Sequence, residues 1–133
     1  MSFFEGKNVL VTGGAGFIGS HLCERFVREG ARVICFDNLS SGRKENIAAL
    51  DGNHNFVFVQ GDVNERADLG KVFGEYRIDL VFHGAAVVGV QRVIEDPLAV
   101  LRDLDGSRAI FGLASEHGVK KLVFASSSEA YGE

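Results

Sequence analysis

The stretch Gly13-Gly14-Ala15-Gly16-Phe17-Ile18-Gly19 spaces three glycines evenly, at Gly13, Gly16 and Gly19. In a turn that opens a helix, each has a separate use. Gly13 permits the tight bend, Gly16 lets an anion approach backbone N–H groups at the helix start, and Gly19 lets helix and strand pack closely. A purely structural glycine turn would read the same way in isolation. Context makes the difference: the β-branched run Val9-Leu10-Val11-Thr12 precedes the glycines, a helical pattern follows them, and the acidic residue Asp37 ends the next apolar run. Strand, glycine turn, helix, strand and acid in that order form the footprint of a dinucleotide, with the diphosphate on the helix start and a ribose on the acid.

Asp37 can accept hydrogen bonds from both ribose hydroxyls of an adenosine, and its charge repels the extra phosphate of NADP, so NAD is the expected cofactor. Arg43 and Lys44, close by, argue the other way if they hold that phosphate; as a solvated loop face they argue nothing. Asp62 can accept from an adenine amino group while Val63 packs on the ring, or it can cap the next helix through the turn at Asn64. Gly84, Ala85 and Ala86 have side chains small enough for cofactor ribose and phosphate to lie against the backbone. His83, just before them, reads as a core histidine with a satisfied ring, having no carboxylate or cysteine at a suggestive spacing. Ser126-Ser127-Ser128-Glu129 offers a hydroxyl to polarise a substrate hydroxyl or ketone, and in Glu129 a general acid or base. A serine-rich turn that merely ends a strand fits equally well.

These residues need a scaffold that brings them to one edge. Five apolar runs read as strands: 8–12, 32–37, 56–59, 80–83 and 121–125. Between them, helical spacing is predicted over 17–29, weakly over 44–50, over 67–76, and over 91–117, where Asp96-Pro97 interrupts or restarts the helix. Strands alternating with helices predict an α/β fold of Rossmann type: a parallel sheet, apolar on both sides, with helices on both faces and right-handed crossovers. Every candidate residue then falls just after a strand, at the carboxyl edge where such sheets bind ligands.

The chain has 133 residues, 46% of them apolar, and a net charge of −4, so the whole of 1–133 is expected to be one domain. Acids and bases are mixed along it, leaving no basic face for nucleic acid. No apolar run approaches the roughly 18 residues of a membrane span, and no signal-peptide layout is present, so the cytoplasm is the expected compartment. Cys23 and Cys35 fit buried thiols rather than a disulfide or a metal pair, and no metal is expected.

The motifs Thr12-Gly13-Gly14-Ala15-Gly16-Phe17-Ile18-Gly19, Asp37-Asn38-Leu39-Ser40-Ser41-Gly42, Gly61-Asp62-Val63, His83-Gly84-Ala85-Ala86 and Ser126-Ser127-Ser128-Glu129-Ala130-Tyr131-Gly132 span the chain in order. Together they resemble the extended short-chain dehydrogenase/reductase family, the NAD-dependent nucleotide-sugar epimerases and dehydratases. The resemblance implies a bound NAD that takes a hydride from a nucleotide sugar and often returns it. It places the diphosphate on Gly13, Gly16 and Gly19, the adenosine ribose region on Asp37 and Asn38, and adenine on Asp62 and Val63, with Phe17, Ile18, Ser41 and Gly42 as further cofactor contacts. It makes Ser127 the catalytic hydroxyl and Glu129 the acid found in dehydratase and decarboxylase members. It also implies a homodimer formed through helices of the kind predicted over 91–117. Two departures stand out. The family's Tyr-x-x-x-Lys base is not within these residues, since Leu80 occupies the lysine position after Tyr76; and the helix around Leu104-Asp105-Gly106 lacks the usual asparagine and is one residue shorter. The expectation is therefore the NAD-binding portion of such an enzyme, truncated before its base and substrate pocket; the alternative is a non-catalytic NAD-binding sensor or interaction module.

Overall fold

The structure, a computed structural model, describes residues 1–86 and 90–132, excluding the side chains of Val90 and Glu129. Its strands are β1 (Asn8–Thr12), β2 (Arg32–Asp37), β3 (Phe56–Gln60), β4 (Leu80–His83) and β5 (Lys121–Phe124). They form one parallel sheet in the order β3-β2-β1-β4-β5. After β1 the chain moves outward to β2 and β3, then returns to the other side of β1 for β4. The strand order thus reverses between β1 and β4, and a crevice opens there at the carboxyl edge.

Alternation along the strands divides the apolar residues between two cores. Val9, Val11, Val33, Cys35 and Leu80 face one side, where they meet Cys23 and Phe26 of α1 (Phe17–Arg28) together with Ile47 and Leu50. Leu10, Ile34, Phe36 and Val81 face the other, against Leu69, Val72 and Phe73 of α2 (Arg66–Glu75) and Ala109, Ile110 and Leu113 of α4 (Pro97–Glu116). Helices cover both faces, as the sequence pattern predicts.

α1 ends because Gly30 adopts φ +85, which directs its N–H to the Val27 carbonyl and that of Ala31 to Phe26. Gly118, φ +67, ends α4 by the same pair of bonds, to Ser115 and Ala114. The predicted helix over 91–117 is two helices, α3 (Val90–Glu95) and α4. Asp96 separates them and caps α4, accepting from the Ala99 N–H at 3.1 Å, with Pro97 in the first turn. The weak helix at Lys44–Leu50 is a 3₁₀ helix, in which Ile47 and Leu50, three residues apart, share the buried face.

One expectation needs correction. The strands are not all apolar and buried on both sides: in β5, Val123 and Phe124 are each 44% exposed. β5 pairs with β4 alone among the described strands, so local composition does not secure its burial.

Candidate dinucleotide site

β1 delivers the glycine turn to the crevice, and Gly16 stands at the N-cap of α1 with no side-chain cap and no acid in the first turn. The first bond of the helix runs from the Ser20 N–H to the Gly16 carbonyl, so the N–H groups of Phe17, Ile18 and Gly19 lie ahead of the helical ladder. With the helix dipole behind them, they suit an anion. The glycines are required sterically. A Cβ on Gly13, whose φ is +70, would lie 2.9 Å from the Ala85 nitrogen, and one on Gly19 would overlap the Gly13 carbonyl oxygen.

The loop after β2 straps this turn in place. Asp37 accepts from the Ala15 N–H (3.0 Å) through Oδ2 and from the Leu39 N–H (2.8 Å) through Oδ1. The Ala15 carbonyl in turn accepts from the Arg43 N–H (3.0 Å) and the Asn46 amide (2.8 Å). Leu39 is held at φ 61 between two side-chain turns, the second formed as the Ser40 N–H donates to Asn38 Oδ1. Gly42 leaves the Asp37 carboxylate reachable, since a Cβ there would lie 2.9 Å from Oδ2. Neither Arg43 nor Lys44 lines the cavity, and the Lys44 ammonium lies over the Phe58 ring instead.

Across the switch point, β1 and β4 are joined at their register partners Thr12 and His83. The Gly84 and Ala85 N–H groups donate to Thr12 Oγ1, at 3.1 and 3.3 Å, so the threonine's own hydrogen points to His83 Nδ1, 2.7 Å away. The proton of the neutral ring is then on Nε2. Burial pushes His83 down to about 4, partly opposed by the charge of Asp103, so the ring is neutral at physiological pH. His83 is the satisfied core histidine the sequence suggests.

After β3, Asp62 Oδ1 accepts from the Asn64 N–H (2.9 Å), and Asn64 Oδ1 accepts from the Gly106 N–H of α4 (3.0 Å). Asp62 therefore makes the turn at Asn64 while still facing the cavity. The result is a cavity of about 550 Å³, a size typical of cofactor sites.

All the residues expected to touch the cofactor line this cavity: Gly13, Gly16, Phe17, Ile18 and Gly19; Asp37, Asn38, Ser41 and Gly42; Asp62 and Val63; Gly84, Ala85 and Ala86. Ser127 does not; it is exposed after β5, and its carbonyl accepts from the Ala130 N–H in the terminal 3₁₀ turn (Ser128–Tyr131). The side chain of Glu129 lies outside the described residues. Sequence reading missed Thr12, Asn64, Asp103 and Ala125 in the lining and Asn46 behind it. Thr12 and Ala125 could have been found as strand-end positions, but nothing local marks Asp103 on α4. Cys23 and Cys35 are free and buried beneath Gly14; the hydrogen bond with Cys23, and then burial, push the Cys35 thiol up, so it is unreactive. No helix among the described residues is long and apolar enough to cross a membrane.

The geometry agrees with comparisons to known proteins. The chain is 38% identical over 132 residues to UDP-glucose 4-epimerase 2 of Oryza sativa subsp. japonica, covering 95% of this chain and 32% of that protein. It is 37% identical over 128 residues to UDP-N-acetyl-alpha-D-glucosaminuronate decarboxylase of Bacillus cytotoxicus, covering 96% and 38%. The solved UDP-glucose 4-epimerase of Bifidobacterium longum, in complex with NAD+ and UDP, superposes with a TM-score of 0.84 at 32% identity, over 95% of this chain and 38% of that one. The chain spans about a third of the length of the curated relatives it matches. Residues 9–133 match the model of the NAD dependent epimerase/dehydratase family, whose cofactor is NAD, and the chain belongs to that family.

Proposed function

We propose that this cavity binds NAD and that the chain is the cofactor-holding portion of a nucleotide-sugar epimerase or dehydratase of the UDP-glucose 4-epimerase kind. The observation that carries the reading is the uncapped start of α1 opening into a cavity whose wall presents the Asp37 carboxylate. In this reading Gly13, Gly16, Phe17, Ile18 and Gly19 hold the diphosphate through backbone N–H groups. Asp37 and Asn38, with Ser41 and Gly42, hold the adenosine ribose. Asp62 and Val63 hold adenine, and Gly84, Ala85 and Ala86 lie along the nicotinamide half. Bound NAD supplies a transient hydride acceptor for the sugar. Ser127 polarises the substrate oxygen and Glu129 moves a proton, roles that follow from the family resemblance. The free, buried thiols support a cytoplasmic setting, and exposed Leu98, Leu101 and Leu104 on α4 support a homodimer through that helix.

Titration of the protein with NAD+ and NADP+ by calorimetry tests the cofactor. Wild type should prefer NAD+, and Asp37→Ala should weaken NAD+ about tenfold or more while affecting NADP+ less. Absence of NAD+ binding, or equal losses for both, would count against the reading.

A second reading, an NAD-binding sensor or interaction module, is favoured by one feature. Beside exposed β5, Phe3, Phe4, Phe26, Phe82 and Val123 line an apolar hollow of about 330 Å³, a surface suited to a protein partner.

A further inference from the structure

Ala15 sits in the middle of the glycine turn, fully buried, and both of its backbone polar groups are held by the chain after β2. Its N–H donates to Asp37 Oδ2 (3.0 Å), and its carbonyl accepts from the Arg43 N–H (3.0 Å) and the Asn46 amide (2.8 Å). A carbonyl oxygen has two lone pairs, so this one is saturated. The next N–H, that of Gly16, donates to the Gly13 carbonyl at 3.1 Å, which fixes the Ala15–Gly16 peptide at both ends. Gly16 is the N-cap of α1, and the N–H groups of Phe17, Ile18 and Gly19 follow directly. Their direction is thus set through the Ala15 carbonyl. Of its two donors, Arg43 belongs to the loop, whereas Asn46 lies in the 3₁₀ helix Lys44–Leu50, which Ile47 and Leu50 anchor in the core shared with α1. Asn46 is itself exposed and aims its amide inward at that carbonyl.

We propose that Asn46 is a positioning residue for the cofactor diphosphate: before any ligand arrives, it holds the glycine turn in the orientation that presents the Phe17, Ile18 and Gly19 N–H groups to the anion. The inference rests on the NAD reading above. A turn already in its bound orientation takes the anion without an ordering cost, and a turn that its ligand must order loses that cost from its affinity. Asn46 does not line the cavity and acts only through the Ala15 carbonyl, so its removal falls on ligands that use the turn. Adenosine, held by Asp37, Asp62 and Val63, does not use it. Asp37 keeps its bond to the Leu39 N–H and its burial at the end of β2 when Asn46 is removed.

Dissociation constants for NAD+, ADP-ribose and adenosine, measured by NMR titration on wild type, Asn46→Ala and Asn46→Leu, test this directly. Leucine fills nearly the same space without a donor and so separates the lost bond from lost packing. Both substitutions should raise the constants for NAD+ and ADP-ribose about fivefold, the size of one neutral hydrogen bond, and that for adenosine by less than about twofold. A contact that merely stabilises the fold would lower the urea midpoint and leave all three constants unchanged, which overturns the proposal. An equal loss for adenosine and ADP-ribose also overturns it, by assigning Asn46 to the whole loop after β2, as does wild-type affinity in Asn46→Leu. Wild-type protein that binds none of the three removes the NAD reading itself, a result distinct from binding that the substitutions leave unchanged. Wild type that binds both diphosphates but no adenosine removes the assignment of Asp37 and Asp62 to adenosine, and the proposal with it.

Discussion

β2 and β5 have similar apolar cores, Val33-Ile34-Cys35-Phe36 in one and Leu122-Val123-Phe124 in the other, yet their surroundings are opposite. β2 is paired on both edges and covered on both faces, and every residue from Val33 to Asp37 is buried. β5 pairs only with β4, and Phe124 is as exposed as Val123, with Phe111 of α4 48% exposed beside it. Strand composition reports what a segment could bury, whereas neighbours decide what it does bury. The β2 side of the cavity therefore rests on a closed wall, and the β5 side on a partly open one.

Phenylalanine truncation measures that difference most directly. Phe36 is fully buried, lines the cavity and packs so tightly under the β3 turn that a Cβ on Gly61 would lie 2.6 Å from its ring. Phe36→Ala should cost about 4 kcal/mol in urea unfolding. Phe124→Ala removes ring contacts with His83 and Phe111, at centroid distances of 5.7 and 5.8 Å, but on a half-open surface, and should cost about 1 kcal/mol. Equal losses would mean that the two walls are equally closed.

Two helical glycines sharpen the contrast. Gly19→Ala on α1 drives a methyl group into the Gly13 carbonyl and to 2.8 Å from the Gly14 Cα, backbone that cannot yield without deforming the glycine turn. A loss of about 3 kcal/mol is expected, with NAD affinity falling further. On α4 the methyl of Gly112→Ala meets only the Arg66 guanidinium, 3.1 Å away at the end of a flexible, exposed side chain. Helix propensity should then dominate, for a gain of about 0.5 kcal/mol. Thermal unfolding of both variants reads the opposite signs.

The same contrast explains which parts were legible in the sequence. The five strands and the glycine turn follow from local alternation and spacing, and the expected cofactor contacts occupy strand ends that a parallel sheet must bring to one edge. The 3₁₀ character of Lys44–Leu50 was hidden because Ile47 and Leu50 satisfy helical spacing either way. Asn46 and Asp103 were hidden for another reason. Their roles depend on long-range geometry, one through the Ala15 carbonyl and the other through the approach of α4 at Gly106. Ser127 was singled out from its neighbours by resemblance, since a serine-rich strand end is locally ambiguous, whereas Glu129 stood out as the one carboxylate of that cluster.

The Thr12–His83 bond is the seam between the two sides, and pH probes it. Above pH 6.5, the ordinary histidine value, the ring is neutral in both the folded and unfolded chain and contributes no slope. As pH falls below 6.5, the unfolded chain takes up a proton that the buried ring refuses until about 4. Stability should therefore fall with falling pH through that window, by about 2 kcal/mol between pH 7.5 and 5. His83→Asn retains an acceptor for the Thr12 hydroxyl but cannot titrate, so its urea-unfolding free energy should decline less over the same range by about that amount. Parallel curves for variant and wild type would show that protonation of His83 does not strain the junction, and that the β5 side is loose enough to admit the charge.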